Sequence, residues 1–133
     1  MRLTETIDSR KAENMNPVVL AFVGDAVYSL IVRKKYAVTT DAKSGQLSMI
    51  AGKVVSAKSQ AKLVDEHIQA FTEKEAEIFR RARNAKKPSR AKHSSVSEYN
   101  KSTGFEAVLG YLYLIGEYER LEYLISLGEC DER

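Results

Sequence analysis

The chain has 133 residues, 44% of them hydrophobic and 29% charged, with a formal net charge of +3. That length supports one domain with its own core, and two prolines in a balanced composition exclude disorder throughout. A lone Cys130 excludes an internal disulfide framework, and with no charged, apolar, small-residue leader at its start the chain is expected to be cytoplasmic.

Residues 1–15 are polar and are expected to be loosely held. The first helix is predicted from Pro17 to Tyr36. Asn16 is a good N-cap, and proline fits the first turn, where a missing N–H costs nothing. The run is apolar on nearly every face: Val18, Val19, Leu20, Ala21, Phe22, Val23, Ala26, Val27, Leu30, Ile31 and Val32. At about 20 residues it has membrane length. Asp25 at its centre and Arg33, Lys34 and Lys35 at its end point instead to a buried core helix, with no membrane partner.

A second helix is predicted from Lys43 to Val55, with Leu47, Met49, Ile50 and Val54 on its apolar side and Gly45 and Gly52 weakening it. A third runs from Ala57 to Ile68 on Ala61, Leu63, Val64 and Ile68. Thr72-Glu73-Lys74-Glu75 has capping-box spacing and starts a fourth, which ends near Asn84. A fifth covers Lys101 to Ile115, stops at Gly116, and is again mostly apolar. A sixth, Tyr118 to Leu127, is amphipathic through Leu121, Leu124 and Ile125 and closes at Gly128. Without period-two alternation elsewhere, the fold class is all-α.

The segment from Arg80 to Ser97, the end of the fourth helix running into an exposed loop, is cationic. It carries Arg80, Arg81, Arg83, Lys86, Lys87, Arg90 and Lys92, with His93, and has no acid between Glu77 and Glu98. A basic loop is expected over about residues 84–99. Such a run is either a solvated surface or a grip on nucleic-acid phosphates, where binding falls steeply with salt. Only Phe79 and Tyr99 flank it, so duplex recognition by charge and shape fits better than base stacking on single strands.

Two acids stand out. Asp25 and Glu106 each sit in an apolar helix with no cation three or four residues away. A buried carboxylate needs a partner or takes up a proton. Each is either a structural carboxylate paired with a distant Arg or Lys, or one of a facing pair that shares a hard divalent cation.

The motif Phe22-Val23-Gly24-Asp25-Ala26-Val27 resembles the second half of the ribonuclease III signature, Phe-Leu-Gly-Asp-Ser/Ala-Val on a buried helix. Phe105-Glu106-Ala107-Val108-Leu109-Gly110-Tyr111-Leu112 resembles that family's second acidic helix. The likeness covers the chain from Asn16 onward. A catalytic domain without the usual double-stranded RNA-binding domain, with Asn16-Pro17 before the first motif and Ser102-Thr103-Gly104 opening the second, is similar to the Mini-ribonuclease III branch. The sequence departs from the wider family at three acids: Val18 and Ala21 stand where its signature has Glu, and Thr103 where its second motif has Asp.

The resemblance implies the ribonuclease III helical fold as a two-fold dimer with Phe22 at or near the contact. It implies a Mg²⁺-dependent endonuclease of double-stranded RNA that leaves 5′-phosphates and trims the large-subunit (23S) ribosomal RNA precursor. Asp25 and Glu106 would be both the catalytic acids and the metal ligands, with Asn100, Ser102 and Thr103 orienting water around the ion. The basic run from Arg80 to Lys92 would hold RNA backbone, and a large-subunit ribosomal protein is a candidate partner. The rival readings are a non-catalytic RNA- or ribosome-binding module on the same fold and a structural helical dimer.

Overall fold

The computed structural model describes residues 1–87 and 94–129, and among these every regular element is helical. The elements are α1 (Ser9–Glu13), α2 (Pro17–Thr39), α3 (Ser44–Val54), α4 (Ala57–His67) with a 3₁₀ turn over Ile68–Ala70, α5 (Glu73–Asn84), α6 (Val96–Leu114) and α7 (Tyr118–Glu129). No described helix is long and apolar enough to cross a membrane.

The N-cap reading of α2 holds: Val18 N–H donates to Asn16 Oδ1 at 2.8 Å, with Pro17 in the first turn. So does the capping box of α5. Glu75 N–H donates to Thr72 Oγ1 (3.1 Å), and Thr72 N–H donates to Glu75 Oε1 (3.0 Å). Glu75 is buried, and it is paired by Arg120 of α7, whose Nε and Nη2 reach its two oxygens at 2.9 and 2.8 Å. This fork fixes α7 against α5 and satisfies a carboxylate that would otherwise be costly to bury.

Helix α6 is the axis of the core. Phe105, Ala107, Val108 and Leu109 are fully buried, because α2, α4 and α5 pack around it. Its apolar composition on all faces follows from that position. It begins five residues earlier than the sequence suggests. Ser95 and Glu98 form a second reciprocal capping box, at 3.0 Å in both directions, inside a Ser-rich stretch that reads as loop. Gly116, at φ +81°, ends the turn after α6 as expected. Helix α7 continues through Gly128 to Glu129, past the predicted stop.

Two other expectations are corrected. Residues 1–15 are docked rather than loose. Ile7 N–H donates to Leu114 O at 2.9 Å, and Ala12 of α1 is fully buried. A five-residue helix with one small core residue leaves no periodic trace. Helix α2 is buried on one side only. Leu20, Ala21, Gly24, Tyr28 and Val32 face the core, whereas Val19, Phe22 (79% exposed) and Leu30 face outward.

The decisive contact is where α2 crosses α6. A Cβ added to Gly24 would lie 1.7 Å from Glu106 O, and one added to Gly110 would lie 1.9 Å from Leu20 O. The two backbones therefore touch through paired glycines. Substituting either Gly24→Ala or Gly110→Ala must push backbone against backbone, costing about 1–3 kcal/mol or more. That exceeds the roughly 1 kcal/mol that alanine gains in helix propensity. Denaturant unfolding should show both variants destabilised. Gly52→Ala, where nothing lies within 4 Å of the added Cβ, should be neutral or stabilised. Equal behaviour of all three would mean that the crossing is not tight.

Candidate active site

The glycine contact sets the site. Gly24 precedes Asp25 on α2, and the atom it abuts is the backbone carbonyl of Glu106 on α6. The crossing therefore brings two acids, 81 positions apart in sequence, close enough for their carboxyl groups to interact. The sequence places both acids in apolar helices expected to be buried, and the structure separates them. Asp25 is exposed on the outer face of α2, and Glu106 is half-buried.

Burial is the main force that pushes the Glu106 carboxyl up to about 8, opposed by a hydrogen bond from Gln60 and reinforced by the charge and hydrogen bond of Asp25. Burial and the neighbouring Asp25 therefore both favour the protonated form of Glu106. The site is a pair of neighbouring acids in which the Glu106 charge is suppressed.

The partner of Glu106 comes from α4. Gln60 Nε2 donates to Glu106 Oε2 at 3.0 Å and to Val55 O at 2.8 Å, and the residue is only 1% exposed. Its Oε1 is buried without a partner. Leaving such an acceptor unmade costs about 1–3 kcal/mol. Sequence reasoning missed Gln60. The signal was a polar residue on the same face as Ala57, Ala61 and Val64, the core stripe of α4.

Among the described residues, no group of three or more His, Cys, Asp or Glu gathers anywhere. The oxygen donors at this site are two carboxylates, both hard, and Gln60 turns its NH₂ towards Glu106. That set fits Mg²⁺, which is commonly held by one or two carboxylates with water and phosphate oxygens completing its shell.

The other expected site residues fall in several places. Ser102 and Thr103 are buried on α6 one turn before Glu106, and both hydroxyls donate to Tyr99 O, at 2.8 and 3.0 Å. Asn100 is half-buried six residues before Glu106, about a third of a turn away around the helix. Arg80 and Lys86 are exposed, and Arg83 lies over the Phe79 ring at 5.7 Å while donating to Asn84 Oδ1.

Arg81 and Lys87 differ from the expectation that the whole run meets RNA. Arg81 donates to Glu13 O (2.8 Å) and Met15 O (3.4 Å), tying α5 to the turn before α2. Lys87 donates to Arg83 O (3.0 Å) and Ala85 O (2.8 Å) at the end of α5, and burial lowers its pKa. Charge alone does not distinguish a cation that caps carbonyls from one that waits for phosphate. Arg90 and Lys92 lie outside the described residues.

Phe22, Val23, Ala26 and Leu30 line an apolar groove of about 570 Å³ with Tyr113 and Leu121, and Asp25 stands among its lining residues. The acid pair therefore borders an uncovered hydrophobic face.

Residues 18–117 match the Ribonuclease III domain family. The chain is 46% identical over 114 residues to a Mini-ribonuclease 3 of Streptococcus pneumoniae, a match covering 84% of this chain and 89% of that protein. It is 42% identical over 125 residues to the Mini-ribonuclease 3 of a Thermoanaerobacter species, covering 94% and 88%. Its fold is similar to a crystal structure of a Fusobacterium nucleatum protein, with a TM-score of 0.82 at 28% identity, covering 90% and 96%. With this match running through both acidic helices, the chain belongs to the ribonuclease III family.

Proposed function

We propose that this chain is a Mg²⁺-dependent endoribonuclease that uses Asp25 and Glu106 to cleave duplex RNA in the large-subunit ribosomal RNA precursor. Membership of the ribonuclease III family makes it an endoribonuclease acting on double-stranded RNA. The observation that carries the finer reading is the Asp25–Glu106 pair, which is held together by the helix crossing, bears one suppressed charge, and opens to solvent at Asp25.

Asp25 and Glu106 would hold the ion through their carboxylate oxygens. Bound there, Mg²⁺ would polarise a phosphate oxygen and make water at the site more acidic. Glu106 would hold the ion as a carboxylate, its proton released to solvent, and Gln60 N–H would stabilise that ionised form. Asp25, on the exposed side, faces the incoming backbone. Water attacks the scissile phosphorus as the P–O3′ bond breaks; the water gives up a proton to solvent and O3′ takes one up, so the products carry a 5′-phosphate and a 3′-hydroxyl.

The outward stripe of α2, from Val19 through Phe22 and Ala26 to Leu30, is a contiguous apolar face of the kind that a second copy covers. A two-fold dimer through this face carries two acid pairs, one for each strand of a duplex. Arg80, Arg83 and Lys86 supply cations for the RNA backbone, and a large-subunit ribosomal protein that shapes the precursor is the further partner of this reading. The setting is the cytoplasm, where that precursor is made.

Cleavage of a long RNA duplex should occur with Mg²⁺, stop with EDTA, and be lost in Asp25→Asn and Glu106→Gln while duplex binding persists. Because Mg²⁺ competes with the Glu106 proton, the Mg²⁺ concentration needed should fall as pH rises from 6 towards 8. Binding of uncut duplex by the parent, on natural precursor as well, would favour a non-catalytic binding module. Full turnover by Asp25→Asn would remove that residue from the site.

The cations separate by a different assay. Each phosphate contact contributes about 0.9 to the slope of log affinity against log salt on a duplex. Arg80→Ala with Lys86→Ala should flatten that slope by nearly two and leave stability unchanged. Arg81→Ala should lower the melting temperature and leave the slope alone. An unchanged slope in the first variant would return that surface to plain solvent exposure.

A further inference from the structure

The role of Gln60 rests on the proposed two-carboxylate reading and extends it. Its amide is oriented without ambiguity. Val55 O can only accept, so the atom 2.8 Å from it must be the NH₂ group, and that same NH₂ faces Glu106 Oε2 at 3.0 Å. With the amide reversed, its oxygen would oppose a carbonyl. The backbone at the end of α3 thereby aims an N–H at one oxygen of Glu106.

A donor aimed at a carboxylate oxygen favours the ionised form and fixes its rotamer. It leaves the other Glu106 oxygen for Asp25 or a cation. Core packing alone does not account for the choice of residue. At 1% exposure an apolar side chain would fill the space, and glutamine leaves Oε1 buried with no donor. The unpartnered Oε1 is an acceptor that water accompanying a hydrated cation would satisfy.

We propose that Gln60 is a positioning residue of the site: it holds Glu106 as an oriented carboxylate for the divalent ion and offers Oε1 to water at that ion. Groups that orient metal ligands from behind change ion affinity or activity by about 10–100-fold when removed.

The test is a Mg²⁺ titration of RNA-free protein, followed by backbone amide shifts in α2 and α6. It compares the parent, Asp25→Asn, Gln60→Met and, as a second apolar replacement, Gln60→Leu. Circular dichroism verifies folding, and cleavage kinetics run in parallel. The parent should show saturable shifts around Asp25 and Glu106 that Asp25→Asn weakens. Folded Gln60→Met and Gln60→Leu should bind Mg²⁺ about 10–100-fold more weakly and lose kcat by a similar factor, with KM for duplex RNA unchanged.

A folded variant whose Mg²⁺ affinity stays within about two-fold of the parent overturns the role of Gln60 and leaves the acid pair standing. Loss of folding in both Gln60 variants also overturns it, in favour of a purely structural amide. A parent without Mg²⁺-induced shifts removes the two-carboxylate reading itself, and the role of Gln60 with it.

Discussion

The fold and the site depend on one contact, the backbone approach of α2 to α6 at Gly24 and Gly110. Helices usually meet through interdigitated side chains at interaxial distances of about 8–10 Å. Here a side chain at either position would overlap a carbonyl oxygen of the other helix, Glu106 O or Leu20 O. The approach is therefore closer than ordinary packing permits. Its consequence is chemical as well as structural. The residue after Gly24 is Asp25, and the residue whose carbonyl Gly24 touches is Glu106, so the contact that closes the core also presses two carboxyls together.

The rest of the molecule keeps this costly juxtaposition in place. Helix α4 contributes Gln60 from behind Glu106, itself anchored on Val55 O. Helix α5 is held to the chain before α2 by Arg81, and α7 is held to α5 by the Arg120–Glu75 fork. Tyr28 of α2 meets Phe105 edge-on, with ring centroids 5.8 Å apart, beside the acid pair in both helices. The frame holds two acids side by side, with the charge of Glu106 suppressed by burial and by Asp25. The same frame leaves Asp25 accessible while Glu106 is half-covered.

Much of this was legible in the sequence. The helix order, the caps at Asn16 and Thr72, and the two acids could be read from spacing, because each rests on local chemistry. Sequence could not say which side of α2 is covered, since an apolar residue such as Phe22 serves a core and an interface equally well. The burial of Asp25 was misjudged for that reason. Gln60 went unnoticed because its partners, Val55 O and Glu106, lie on other elements. Arg81 and Lys87 looked like surface cations because the carbonyls they bind leave no mark in the sequence.

The central claim is that the α2–α6 crossing makes Asp25 and Glu106 one functional unit rather than two independent acids. Single-turnover cleavage of an RNA duplex at saturating Mg²⁺, by Asp25→Asn, Glu106→Gln and the double variant, tests it most directly. A unit predicts that either single change loses nearly as much rate as both together. Losses that multiply in the double variant would contradict it.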